Sequence, residues 1–377
     1  MRVLHLLDHA ALRQTEYARR TFALLGSLRA QGVQTVQLTA PSAARQAEHM
    51  PDGWHVYRTP APAGLRYWPR RWRPLAGCAA LALRLRQVAR LTRPDLIHVH
   101  APGSHALAAW PAARLERLPL LLEAERRDRP VLTRLERAVF KGADAVAAAT
   151  PELRTALRAG GLDGQRIAVL PAAADLPGVQ HARTGPAGLE GAPLLAYAGD
   201  LEACEGINLL LEALAVLRAS RPALRLLVAG GGARGAVLEQ RADIPALRGH
   251  VVFTGTLAAR RAADLLPRAD IVVFPALPGR LPSSRQLLNA MAQGCAVVAS
   301  DLACHRELIL HGHSGILFRA GSRASLVEAL AGLLEEPCRL RPLGAAAAAF
   351  IAAQRSWTAT AARYRRLYAQ ILTDAVK

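Results

Sequence analysis

The chain has 377 residues, 51% of them apolar, and a formal net charge of +19 that is almost wholly arginine, since Lys141 and Lys377 are its two lysines. That length suits about two domains, and each strong apolar run stops well short of the roughly 20 residues that span a bilayer, which argues against a helical membrane protein. Five cysteines (Cys78, Cys204, Cys295, Cys304, Cys338) form no CxxC pair and have no histidine at ligand spacing. This argues against a zinc site or a disulfide framework and leaves reduced, mostly buried thiols.

In chain order, apolar strand-like runs alternate with helix-period segments, the pattern of parallel, doubly wound sheets. The opening MRVLHLLDHA lacks a basic region before an apolar core and a small-residue cleavage site, so it reads as a first strand and not as a signal peptide. Tyr17 to Gly32 follows as a helix and VQTVQLTA as a second strand, and then come DLIHVH, LPLLLEAE, ADAVAAAT and RIAVLPAA. These make one Rossmann-like domain over residues 1–178. Residues 179–193, in a Gly- and Pro-rich run without apolar period, form the linker.

A second Rossmann-like domain covers 194–355, with strands LLAYAGDL, LRLLVAG and HVVFTGTL, then Ile271 to Phe274, a helix from Ser284 to Gln293, and Ala296 to Ser300. Gly199 and Gly230 to Gly232 sit in turns where a missing Cβ lets backbone N–H groups approach a phosphate. The terminal segment 356–377 carries Trp357, Tyr364, Leu367, Tyr368 and Ile371 on one helical face.

The segment Arg66 to Arg93 joins Tyr67, Trp68 and Trp72 to a dense run of arginines and a basic helix. Aromatics beside cations suit an anionic membrane surface; a plain amphipathic helix with a solvated basic face is the other reading. The charge surplus favours polyanionic partners generally, but nucleic acid has neither aromatic platforms nor a recognition motif in its favour and is not expected.

Several ordered motifs carry a resemblance that runs nearly end to end: RPDLIHVHAPGSHALAAW, YAGDLEACEGINLLLEAL, NAMAQGCAVVASDLACHRELI and RSWTATAARYRRLY. Together they resemble GT-B glycosyltransferases of family 4, the glycogen synthase-like superfamily, and within it the branch associated with PEP-CTERM/exosortase A and exopolysaccharide loci. The resemblance implies an α/β GT-B fold: two Rossmann-like domains facing across a cleft, an N-terminal acceptor domain, a C-terminal nucleotide-sugar domain, and a last helix that packs back toward the N-terminal domain. It implies a retaining transfer from a nucleotide sugar to a lipid-linked saccharide, without a bound metal or other cofactor, by a protein of the cytoplasm held at the inner face of the plasma membrane.

The donor-binding residues it implies are Gly199, Asp200, Glu205, Gly206, Gly255, Arg285, Gln286 and Asn289. The family's two glutamates, with seven residues between them, read Leu281 and Asn289 here, and its Arg and Lys grip on the diphosphate reads Asp200 and Glu205. An Asn at 289 keeps one acceptor oxygen for a ribose hydroxyl but loses the charge; Arg285 and Arg280 are the nearest cations that could replace the lost pair. This divergence leaves a second reading open, a degenerate GT-B scaffold serving as an interaction subunit.

On the acceptor side the resemblance implies His9, Tyr17 and Glu123, with His100 as the candidate acid/base or sugar-hydroxyl contact. His98 and His100 share one face of DLIHVH because successive side chains alternate. A packed or capping histidine is the other reading of His100. His305 in HREL is expected to hold its loop beneath the donor.

Overall fold

The computed structural model describes residues 1–8, 16–41, 53–62, 73–100, 103–124, 134–174, 192–255, 265–279 and 284–376. The chain forms two units: Met1–Ala172 together with Trp357–Lys377, and Ala173–Ser356.

The first unit is built on seven parallel strands: β1 (Arg2–Leu7), β2 (Gln34–Thr39), β3 (Val56–Arg58), β4 (Leu96–Val99), β5 (Leu120–Ala124), β6 (Ala145–Ala148) and β7 (Ile167–Val169). Their order is β3-β2-β1-β4-β5-β6-β7. Every residue of β4 and β6 is buried, as parallel strands require when helices cover both faces. Leu4, Leu6, Ile97, Val99, Leu120 and Leu122 face helices such as Arg73–Thr92 and Ser104–Glu116. Val3, Leu7, Leu96 and Leu121 face the opposite way, beneath helix Glu16–Ala30 and the C-terminal helix Trp357–Val376. The latter covers the sheet through Ala361, Tyr364, Leu367, Tyr368 and Ile371, the one-sided apolar stripe read from its sequence.

The second unit has six parallel strands: β8 (Leu194–Ala198), β9 (Arg225–Ala229), β10 (Val251–Phe253), β11 (Ile271–Phe274), β12 (Val297–Ser300) and β13 (Ile316–Phe318), in the order β10-β9-β8-β11-β12-β13. Helices Ile207–Arg218 and Arg323–Glu335 cover one face, on Leu195, Val228, Ile271 and Val273. Helices Ser284–Ala292 and Leu340–Gln354 cover the other, on Ala196, Val272, Phe274 and Val297. The fold class is therefore the expected one, two parallel Rossmann-like sheets. The edge strands β3 and β13 were not read from the sequence.

Contact dictates several glycines of the second unit, among them Gly206, Gly230 and Gly344. Gly206 has φ +71°, and a Cβ there would lie 1.9 Å from the carbonyl oxygen of Pro275. Gly321 has a similar φ of +76° with nothing within 4 Å of its would-be Cβ. Gly321→Ala should then cost only the left-handed backbone penalty, about 1–2 kcal/mol. Gly206→Ala adds a backbone clash and is expected to cost about 3 kcal/mol or more in chemical denaturation; equal costs at the two sites would contradict the packing described.

Candidate functional site

A parallel sheet whose strand order reverses leaves a crevice outside the carboxyl ends of the two strands at the reversal, since their connections leave toward opposite faces. In the second unit the reversal falls between β8 and β11. The loop after β8 holds Gly199, Asp200, Glu205 and Gly206; the segment after β11 leads to helix Ser284–Ala292. The two are tied together, with Leu277 N donating to Cys204 O at 2.8 Å and Gly206 pressed on Pro275. Tyr197, almost wholly buried, donates from its hydroxyl to the Asp200 carbonyl at 2.8 Å. Burial pushes that phenol well above its ordinary range, so it remains a neutral donor.

Two neighbouring turns complete the rim: Gly199 N donates to Ala229 O at 3.0 Å and Gly230 N to Gly255 O at 3.2 Å. Asp200 and Gly255 are exposed, whereas Glu205 is buried. On the helix, Arg285 is exposed and Gln286 and Asn289 are half-buried. Spacings of three and four residues place them on one contiguous surface, opposite Leu287, Leu288 and Met291, which enter the core. Seven of the eight donor-side residues read from the sequence follow β8 or lie on the helix after β11, whereas Gly255 follows the edge strand β10. His305 is buried nearby, with Nδ1 2.7 Å from the Ser300 carbonyl, and burial lowers its pKa. Its contacts are those of a residue that ties its short helix to the end of β12.

The first unit has its own reversal, between β1 and β4. Register pairs His5 with His98 across these strands and His98 with Leu121 of β5. With side chains alternating, His5, His98, His100 and Glu123 all emerge on the face that the C-terminal helix covers. Exposure is 0% for His5 and His98 and 4% for His100. His5 Nδ1 lies 2.9 Å from His100 Nε2, and His100 Nδ1 lies 3.3 Å from Glu123 Oε1. His98 Nδ1 meets the Tyr368 hydroxyl at 2.8 Å, while its Nε2 comes to 3.1 Å from the same Glu123 oxygen without hydrogen-bond alignment. Tyr364 donates its hydroxyl to that oxygen as well.

Proton accounting follows from the carboxylate, which only accepts when ionised. Burial opposes its ionisation, but the adjacent His100 and His98 imidazoles, with a hydrogen bond from His100, outweigh this and hold Glu123 well below the usual carboxylate range. Burial drives His5 down and His98 to about 4, so both are neutral. Burial, reinforced by Glu123, raises both tyrosines, which stay protonated donors. With His100 Nδ1–H donating to Glu123, His100 Nε2 accepts from His5 Nδ1–H. His5 Nε2 is then left buried with no hydrogen-bond partner.

His100 and Glu123 accordingly sit inside a buried network, with both ring nitrogens of His100 occupied by side chains of the same unit. The sequence reading did not single out His5 or the tyrosine hydroxyls for this cluster. The available signal was a histidine at alternating register in each of two apolar strands. His9, Glu125, Arg280, Leu281, Ser283, Arg66, Tyr67, Trp68 and Trp72 lie outside the described residues, as do the side chains of Tyr17 and Ser284 and nearly all of the linker.

Because Tyr364 and Glu123 share one hydrogen bond, their substitutions should not add. In a double-mutant cycle by chemical denaturation, Tyr364→Phe and Glu123→Gln are expected to show a coupling of about 0.5–3 kcal/mol. Strict additivity would contradict the contact.

Comparison with known proteins agrees with this geometry. Residues 15–173 match the family model described as "Glycosyl transferase 4-like domain" and residues 192–336 that described as "Glycosyl transferases group 1". The phosphatidyl-myo-inositol mannosyltransferase of Mycolicibacterium smegmatis is 32% identical over 173 residues, 46% of this chain and 44% of the relative. The D-inositol 3-phosphate glycosyltransferase of Nocardia farcinica is 29% identical over 307 residues, 76% of this chain and 65% of the relative. The matched stretches thus span less than two thirds of either relative. Among solved structures, Anabaena Alr3699/HepE in complex with UDP superposes with a TM-score of 0.73 at 18% identity, over 98% of this chain and 100% of that one, a likeness of fold. With both halves matched in order and the fold matched throughout, the chain belongs to the group 1 glycosyltransferases of GT-B fold, with a 4-like first domain.

Proposed function

We propose that this protein is a retaining glycosyltransferase that moves a hexosyl group from a nucleotide sugar to a lipid-linked saccharide, in exopolysaccharide assembly of the exosortase-associated kind. The observation that carries this reading is the second unit's switch point, where glycine-tight backbone turns, the start of helix Ser284–Ala292 and the Arg285, Gln286 and Asn289 surface converge. The HepE structure, of the same fold, holds UDP.

In this reading the diphosphate sits against the N-terminus of helix Ser284–Ala292, where backbone N–H groups and the helix dipole favour negative charge. Arg285 supplies the cation that stabilises the departing diphosphate, and the oxygen of Asn289 accepts from a ribose hydroxyl. Transfer rests on positioning and on these fixed dipoles, without a metal at the donor. Asp200 is the departure from the family pattern that works against an anion, and its exposure lets water screen it.

The lipid-linked acceptor is supported by surface chemistry. Helix Arg73–Thr92 exposes Leu75, Leu83 and Leu91, at 59%, 66% and 70%, beside exposed Arg90 and Arg93. Exposed leucines among arginines suit an anionic lipid surface. Arg86 and Arg90 also pair with Glu116 at 2.8 and 2.9 Å, so part of this helix's charge is spent within the fold. The relative from Mycolicibacterium smegmatis is named for an acceptor that carries a lipid, a phosphatidyl-myo-inositol. No helix among the described residues is long and apolar enough to cross a membrane, so a peripheral contact at the inner face of the plasma membrane is the association proposed.

Two experiments test this. Thermal-shift titration against a panel of UDP-, GDP- and ADP-sugars is expected to raise the melting temperature for one nucleotide class, with Arg285→Ala weakening that binding about 10- to 100-fold. Flat curves across the panel would reduce the protein to a scaffold, and an undiminished shift in Arg285→Ala would remove the arginine from the donor site. In liposome flotation with anionic vesicles, changing Leu83 and Leu91 to Ser, or Trp68 and Trp72 to Ser, should release the protein; undiminished flotation in both would remove the membrane face.

A further inference from the structure

The buried face of the first unit holds more nitrogen donors than its hydrogen bonds use. One ring nitrogen from each of His5, His98 and His100 lies within 4.8 Å of the other two, and among the described residues no other trio of His, Cys, Asp or Glu side chains meets that closeness. Burying one neutral imidazole is tolerable when both nitrogens are satisfied; burying three together, with His5 Nε2 unpartnered, is a costly use of a core.

The surroundings resemble the outer shell of a metal centre. Metal-bound imidazoles typically hold their second nitrogen against a carboxylate or another polar group, which fixes ring orientation and frees the first nitrogen to ligate. His100 Nδ1 is backed by the Glu123 carboxylate at 3.3 Å, leaving Nε2 toward His5. His98 Nδ1 is backed by the Tyr368 hydroxyl at 2.8 Å, leaving Nε2 3.1 Å from Glu123 Oε1. The His5 ring centroid lies 5.3 Å from that of His98 and 5.2 Å from that of His100. Metal–nitrogen bonds of about 2.0–2.1 Å in a tetrahedron place ring centroids about 5 Å apart. His98 and His100, with centroids 4.0 Å apart, would have to spread by about 1 Å to match that spacing.

We propose that His5, His98 and His100 bind one divalent transition-metal ion of the zinc type, with Glu123 beside the fourth coordination position. Imidazole donors with a carboxylate suit zinc, and cobalt as its spectroscopic substitute, over magnesium or calcium. Ligation needs unprotonated nitrogens. The proton between His5 Nδ1 and His100 Nε2 moves to His5 Nε2, and His98 carries its proton on Nδ1, which donates to the Tyr368 hydroxyl oxygen and leaves Nε2 free to ligate. Tyr364 and Tyr368 cover the imidazoles, so the site is structural: the ion ties β1 and β4 together beneath the C-terminal helix and offsets the charge of the half-buried Glu123. This site is separate from the donor crevice and does not rest on the donor reading.

The test uses the full-length, tag-free chain, stripped with a chelator, dialysed and titrated with Co²⁺. The expected result is the intense visible absorption of four-coordinate Co²⁺, saturating near one equivalent and displaced by Zn²⁺. His5→Gln, which keeps a polar side chain of similar reach, should abolish it. Tyr368→Phe keeps all three imidazoles and removes one backing hydroxyl, and should weaken binding about 10- to 100-fold. A folded wild-type chain that leaves the aqueous Co²⁺ spectrum unchanged overturns the proposal, as does a His5→Gln chain that binds like wild type. Should His5→Gln fail to fold, the wild-type titration and the Tyr368→Phe affinity decide: an absent wild-type signal, or an unchanged Tyr368→Phe affinity, counts against the site.

Discussion

Reversal of strand order is the constraint on which both halves of this protein depend. An all-parallel sheet can bury both faces only by sending its connections to opposite sides, and where the direction of winding changes, the carboxyl ends of two adjacent strands are left without a connection across them. The second unit meets that gap with backbone: small residues let the turns after β8 and β9 close on one another, and Gly206 lets the loop after β8 rest on Pro275. A rim of glycine-bearing backbone turns and an exposed helical surface is left for a ligand. The first unit meets the same gap with side chains, three imidazoles and a carboxylate sealed by two tyrosines.

The different solutions have different energetic characters. In the second unit the cost is conformational, since left-handed glycines lose entropy on folding but leave no buried charge. In the first unit the cost is desolvation. Glu123 remains ionised because Tyr364 and His100 donate to one of its oxygens and His98 lies against the same atom, and removing a donor would leave the carboxylate with fewer partners. The C-terminal helix supplies one donor to the carboxylate and one hydroxyl hydrogen-bonded to His98, so its attachment is polar at the centre and apolar around it. A helix distant in sequence is thereby fixed in rotation and register, which apolar packing alone would specify less sharply.

Much of the fold was legible because parallel strands are continuous apolar runs: RVLHLL, LLAYA and IVVF announce themselves whatever surrounds them. The residues read for the donor side came from glycines and from the resemblance of the helix after β11, and all but Gly255 follow the two strands of the β8–β11 reversal. The buried cluster was not. His98 and His100 were noticed as a pair at the end of DLIHVH, and Glu123 was given to the acceptor side, but His5 reads as one polar residue in an otherwise apolar strand, and Tyr364 and Tyr368 read as members of an apolar stripe. Their meeting depends on strand order and on the return of the last helix, both long-range properties that no local period encodes. The +19 charge was a similarly blunt signal. Several arginines are matched locally, as Arg86 and Arg90 are by Glu116, Arg221 by Glu335 and Arg248 by Asp243, so the surplus is a property of the whole surface more than of one site.

The central claim is that the β8–β11 switch point holds the nucleotide. Hydrogen–deuterium exchange with and without a nucleoside diphosphate sugar tests it most directly, because it reports where protection appears. Slowed exchange is expected at the backbone amides of 199–206 and at the first turn of helix Ser284–Ala292, with the strands of the first unit unchanged. Protection confined to the first unit, or none at a saturating ligand concentration, would contradict it.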